Sequence, residues 1–265
     1  VMDALKTSVW IRDPSEEWVP GTIDAGIELP NNIELRNHSS SDDIDDMISL
    51  RHLNEPSILN AIHQRYNDDR IYTYTGKILI AVNPFKQIHV YGSKQITNYN
   101  EGKTDLPHVY HMSSKVYRMT GCNHSILVSG ESGAGKTQTT KYIMKYIATV
   151  APTMQYCNGL ESRILQSNPL LEAFGNAKTR RNDNSSRFGK FIQIKMTKDL
   201  ISGGQINTYL LEKIRLVSPP IGERNFHIFY QLLSGASVSM VERLHLTRDP
   251  ANYKILSSSH CIVRN

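Results

Sequence analysis

Residues 126–137, ILVSGESGAGKT, run an apolar stretch into a glycine-rich turn, and KTQTTKYIMKYIATV carries on with helical periodicity. No other part of the chain constrains the fold as strongly. Gly130 to Thr137 fit G-x-x-x-x-G-K-[ST], and the motif has meaning only between a strand and a helix. Both are expected here: SILVSG as a short buried strand, and a helix over 136–150 with Ile143, Tyr146, Ile147 and Val150 on one face. Gly130, Gly133 and Gly135 permit backbone angles closed to other residues. With Glu131, Ser132 and Ala134 between them, successive N–H groups can point into one concavity and bind phosphate oxygens. The helix start adds the positive end of its dipole. Lys136 supplies a point charge for β- and γ-phosphates, and the Thr137 hydroxyl is a hard oxygen suited to Mg²⁺. The pattern alone does not separate ATP from GTP.

The other periodicities predict an α/β chain with a mixed sheet. Residues 9–23 read as two short strands about the turn Asp13-Pro14-Ser15, a small β module ending near residue 40. An acidic linker follows, where Ser41 can cap a helix. Asn54-Glu55-Pro56 starts a further helix, and 71–85 reads as two strands broken near Gly76. Helices are expected over 109–120, over 161–174 with a kink or break at Pro169, and over 225–233. FGKFIQIKM alternates like a strand, and Gly203-Gly204 would turn it back into INTYLLEK.

Composition narrows the partners. A net charge of +5 permits an anionic ligand without demanding nucleic acid. Cys122, Cys157 and Cys261 are far apart and read as reduced thiols in a cytosolic setting. His108 and His111 could share a helix face, and read as solvated side chains, not metal ligands. The longest aliphatic run, ILIAV, is too short to span a bilayer, and no signal peptide is visible.

A second polar stretch, NDNSSRFGKF at 182–191, stands at the entry to a strand. Asn, Asp and Ser clusters usually make turns, but these hydroxyls, amides and Arg187 could equally meet a γ-phosphate and its magnesium. The two stretches, followed by TYLLEKIRLV and GERNFHIFYQLL, together resemble the myosin motor domain. NPFKQIHVY resembles the family's adenine-side loop, and VWIRDPSEEW its small N-terminal barrel. The resemblance implies a P-loop NTPase-type mixed sheet flanked by helices. An SH3-like β-barrel over 1–40 would precede a motor domain over 41–265 that is truncated before the second switch. It also implies an actin-based motor ATPase with ATP and Mg²⁺, working in the cytoplasm on the actin cytoskeleton. Partners would be F-actin and, in the full-length protein, light chains or calmodulin, with no nucleic acid and no membrane insertion.

The implied site residues are specific. Lys136, Asn182, Ser185 and Arg187 would serve catalysis. Asn182, Asn184, Ser185 and Ser186 would form the first switch loop, with Ser186 joining Thr137 on magnesium and Arg187 pairing with a glutamate of the second switch. Asn83, Pro84 and Tyr91 would line the adenine pocket, which favours ATP. The rival readings are another P-loop motor of kinesin type, whose switch continues Ser-His where this chain has FGKF, and a degenerate nucleotide-binding scaffold. With the second switch absent, the isolated chain is expected to bind nucleotide poorly and hydrolyse it slowly.

Overall fold

A computed structural model describes residues 6–37, 44–119, 121–152, 160–197 and 200–257. The chain divides into two compact units, Val1–His124 and Ser125–Asn265.

The first unit opens with the expected hairpin. β1 (Lys6–Asp13) pairs antiparallel with β2 (Glu17–Asp24), and β3 (Ile33–Leu35) adds to the other edge of β1. The turn is held by Asp13, whose carboxylate accepts from the Ser15 N–H, the Ser15 hydroxyl and the Glu16 N–H. Val9 and Trp10 are buried. Ser41, the expected cap, lies outside the described residues. α1 (Glu55–Asn67) begins as the sequence implies, with the Asn54 side chain accepting from the Ser57 N–H and Pro56 in the first turn. β4 (Tyr72–Thr75) and β5 (Ile78–Ala81) form a hairpin through Gly76, which sits at φ 61. Buried Arg65 straps this region together: it donates to the carbonyls of Ile44 and Tyr72 and pairs with Asp45 at 3.0 Å.

α2 (Ser93–Asn100) and α3 (Val109–Arg118) complete the unit. Here the structure corrects the reading of solvated histidines. His108 is 5% exposed, because Nδ1 caps α3 by accepting from the Tyr110 N–H while Tyr72, Tyr91, Tyr99 and Tyr110 pack around the ring. Burial pushes this imidazole down to about 4. In the unfolded chain a histidine binds its proton near pH 6.5. Between those values the unfolded state holds more protons, so stability rises with pH across the window. We expect about 3 kcal/mol to be lost as pH falls from 6.5 through 4. His108→Asn, which can still cap the helix, should flatten that slope in urea midpoints measured against pH.

The second unit is organised by helices. α4 (Lys136–Val150) and α5 (Leu160–Gly175) pack together, α5 running through Pro169 as one element without the expected division. β6 (Asn176–Ala177) pairs with β7 (Ser185–Ser186). β8 (Gly189–Thr197) pairs with β9 (Leu200–Tyr209). α6 (His227–Gly235) packs on α5, and α7 (Val238–Arg243) and α8 (Lys254–Ser257) follow. Asn225 and Phe226 are buried just ahead of α6. Gly203 and Gly204 do not turn the β8–β9 hairpin; they lie within β9, opposite Lys195 and Ile194, where the register shifts. The shift leaves Ser202 without an opposite number, and a glycine inside a strand can mark such a bulge as well as a turn.

Helices and strands alternate as expected, but a single mixed sheet is not shown: among the described residues the strands pair in four antiparallel sheets. SILVSG takes no regular secondary structure and belongs to no ladder, and Leu127 is 91% exposed. A buried strand needs a neighbour on each side for its N–H and C=O groups, and none of the described strands takes that place. Of the cysteines, Cys122 is free and exposed, whereas Cys157 and Cys261 lie outside the described residues. Among the described residues no helix is long and apolar enough to cross a membrane.

Candidate functional site

The glycine-rich loop adopts the backbone its sequence demands. Gly130, Gly133 and Gly135 take φ of 148, 88 and 95, so each lies in the region that favours glycine. Gly135, left-handed, caps α4, and the Thr139 N–H bonds back to its carbonyl. The first N–H groups of a helix have no intrahelical acceptor, and here they open onto the loop. Lys136 folds back over that loop. Its Nζ donates to the carbonyl oxygens of Gly130 at 2.6 Å and Glu131 at 2.9 Å. The loop's own carbonyls therefore hold the ammonium charge across the turn it belongs to.

The second polar stretch is a loop closed by the short β6–β7 pair, which sets Ala177 opposite Ser185. Within it, the Asn182 carbonyl accepts from the Thr179 N–H and hydroxyl, and Asn182 Oδ1 accepts from the Asn184 N–H. Lys178 pairs with Asp183 at 2.6 Å. Asn184 reaches away from the loop: Nδ2 donates to Glu172, and Oδ1 meets Asn176 Nδ2 and His227 Nε2. Ser186 is exposed and donates its hydroxyl to the Phe188 carbonyl at 3.1 Å.

The two loops meet at two points. Ser132 Oγ lies 2.8 Å from Ser185 Oγ, and Ser185 is buried. Arg181 Nη1 lies 3.1 Å from Glu131 Oε2. A Cβ at Gly133 would stand 4.0 Å from Asn182 Nδ2, an ordinary contact, so the positive φ and not space calls for glycine here. Arg187, expected to await a partner, already has one. Its Nε donates to Glu212 Oε2 at 2.5 Å and its Nη1 to Ser185 Oγ at 3.2 Å. Burial pushes the Glu212 carboxyl up, but hydrogen bonds from Arg187 and Arg215 outweigh it and hold the group below the usual carboxylate range.

Asn83, Pro84 and Tyr91 lie in the first unit. Asn83 Oδ1 accepts from the Phe85 N–H, the Pro84 carbonyl accepts from Tyr66, and Tyr91 Oη meets Tyr72 Oη at 2.9 Å. Asn83 and Phe85 also border a cavity of about 450 Å³ with Trp10, Trp18 and Tyr66. Sequence reasoning did not single out Arg181 or Glu212. The available signal for Glu212 was its place within TYLLEKIRLV, where a carboxylate among apolar residues needs a cationic partner.

Two hydroxyls of the second unit are hard oxygens of the kind Mg²⁺ takes: Thr137 lies in the first turn of α4, and Ser186 is exposed beside the buried Ser185. No cluster of three or more His, Cys, Asp or Glu suited to a metal exists among the described residues.

The model of the myosin head (motor domain) family matches residues 44–264. Myosin-1 of Arabidopsis thaliana is 45% identical over 271 residues, covering 95% of this chain and 23% of the relative. Myosin-J heavy chain of Dictyostelium discoideum is 41% identical over 309 residues, covering 96% and 14%. Unconventional myosin-Ib of Homo sapiens is 46% identical over 220 residues, covering 81% and 19%. The chain thus spans less than a quarter of the length of these relatives.

Proposed function

We propose, from the premise that this chain belongs to the myosin head (motor domain) family, that it is the nucleotide-gripping part of an actin-based motor ATPase. The observation that carries this reading is the contact between the loops, Ser132 to Ser185 at 2.8 Å. A phosphate cradle and a hydroxyl-rich sensing loop that touch can share one terminal phosphoryl group. Nothing in the family match favours a kinesin-like motor, and intact Lys136, Ser185 and Arg187 weigh against a degenerate scaffold.

In this reading the fold is of P-loop NTPase type. The three-stranded sheet of residues 6–35 supports a small SH3-like module over 1–40, ahead of a motor part over 41–265. The N–H groups of Gly130 to Thr137, including those of Glu131, Ser132 and Ala134, bind the triphosphate, and Lys136 moves from its loop carbonyls to β- and γ-oxygens. Asn83, Pro84 and Tyr91 recognise adenine. Thr137 and Ser186 would hold Mg²⁺, which supplies charge neutralisation at the phosphate oxygens. Asn182 and Ser185 orient the phosphoryl group and the attacking water, while Arg187 fixes Ser185 by donating to its Oγ. Asn184 contributes by anchoring the loop to α5 and α6. Phosphoryl transfer asks the protein for positioning and positive charge, which these groups provide. Loss of the γ-phosphate removes the loop's contacts, and that is the signal a motor transmits.

F-actin is the partner of the whole motor, with light chains or calmodulin on parts beyond these residues, in the cytoplasm. The full-length protein should pellet with F-actin without nucleotide and be released by ATP. Failure to pellet, or pelleting indifferent to ATP, would refute the motor reading.

A further inference from the structure

The chemistry assigned above ends at Arg187, but the contacts do not. Glu212 accepts from Arg187 Nε at 2.5 Å and from Arg215 Nε at 2.8 Å. Its N–H also donates to the Arg187 carbonyl at 2.9 Å, so backbone and side chain both tie it to that residue. Arg215 is 1% exposed and pairs with Glu223 at 2.7 Å while donating to the Arg224 carbonyl. Two guanidinium groups and two carboxylates thus balance in a largely buried cluster. From it a line of contacts runs outward: Glu212 to Arg187, Arg187 to Ser185, and Ser185 to Ser132 in the phosphate loop.

Geometry shows what Glu212 does in that line. A guanidinium presents its donors in a rigid fork, so fixing Nε fixes where Nη1 points. Here Nη1 points at Ser185 Oγ. Arg215 in turn cannot drift, because a buried guanidinium that loses its carboxylate is costly. The base of the line is anchored by the ion pairs of Arg215, and its tip is the contact of Ser185 with Ser132. Electrostatics agree: the two arginines keep Glu212 ionised, in the form that accepts from both.

We propose that Glu212 is a positioning residue for phosphoryl transfer, acting through Arg187 to set Ser185 against the phosphate loop. The proposal rests on the reading that both loops serve one nucleotide. Glu212 touches no reacting atom, and its effect belongs in turnover more than in nucleotide binding.

The test uses the full-length protein with MgATP, rates being counted per active site by titration. Glu212→Gln should lower kcat by about 10–100-fold, as loss of an orienting partner does, with KM changed by less than about threefold. The pair with Arg187→Met separates positioning from packing. If Glu212 works through Arg187, the double variant should turn over no more slowly than Arg187→Met alone. Should Glu212→Gln fail to fold, Glu212→Asp keeps the negative charge for Arg215 and shortens its reach to Arg187, and the same fall in kcat is expected. An unchanged kcat per active site, or losses that add in the double variant, would overturn the assignment while leaving the ATPase reading intact. A wild-type protein that does not hydrolyse MgATP would overturn the ATPase reading, and this assignment with it.

Discussion

Lys136→Ala in the full-length protein is expected to weaken ATP binding by at least about 100-fold, enough to abolish tight binding. The ammonium sits at the mouth of the loop, on the carbonyls of Gly130 and Glu131. A triphosphate oxygen is a better acceptor than a neutral carbonyl, and charge-assisted hydrogen bonds contribute about 1.5–3 kcal/mol each. The ammonium is charged in both arrangements, but a phosphate oxygen adds a negative charge that a carbonyl lacks, so the exchange is favourable in the native protein and impossible in the variant. Alanine is a good helix former, so α4 should keep its first turn and the defect should be electrostatic. Titration with a fluorescent ATP analogue measures it directly. Near-native affinity would mean that the loop does not grip phosphate through this lysine.

What could be read in the residues beforehand follows a physical pattern. Local chemistry was legible. Gly135 and Lys136 placed the start of α4, Asn54 and Pro56 the start of α1, and the Asp13 turn its hairpin. Each is decided within a few residues by caps, φ preferences and short hydrogen bonds. Features that need distant partners were not legible. SILVSG has the composition of a buried strand, yet strand pairing is a property of neighbours, and the described residues supply none. His108 looked like a surface histidine because its burial depends on Tyr72, Tyr91 and Tyr99, which come from three other segments. Gly203 and Gly204 carried a turn signal that also fits a bulge, and the register with Lys195 decides between them. At the site, residue types announced a phosphate loop and a polar partner loop. Their meeting through Ser132 and Ser185 is a contact between residues 53 apart in the chain. Glu212 was hidden for the same reason: a lone carboxylate in an apolar stretch signals that it has a partner without saying which.

Arg187→Glu should uncouple binding from hydrolysis. The substituted carboxylate would face Glu212, now within hydrogen-bond distance of the native guanidinium, and like charges at that spacing repel. Arg215 keeps Glu212 occupied, so the new acid is driven outward and the backbone tie between residues 187 and 212 is strained. Ser185 loses its donor from Nη1 and no longer has a fixed hydroxyl to set against the phosphate loop. Removing one preorganised electrostatic group from a reacting centre costs roughly 10²–10³ in rate. A drop of that size in steady-state turnover is expected here, while ATP affinity, carried by Lys136 and the loop N–H groups, should change by less than about tenfold. Arg187→Lys divides the effect. It restores the charge but not the fork, so it cannot reach Glu212 and Ser185 together, and its rate should fall between the two. If the charge-reversed protein turned over at the native rate, Arg187 would be a structural tie alone, and hydrolysis would have to draw its positioning from elsewhere.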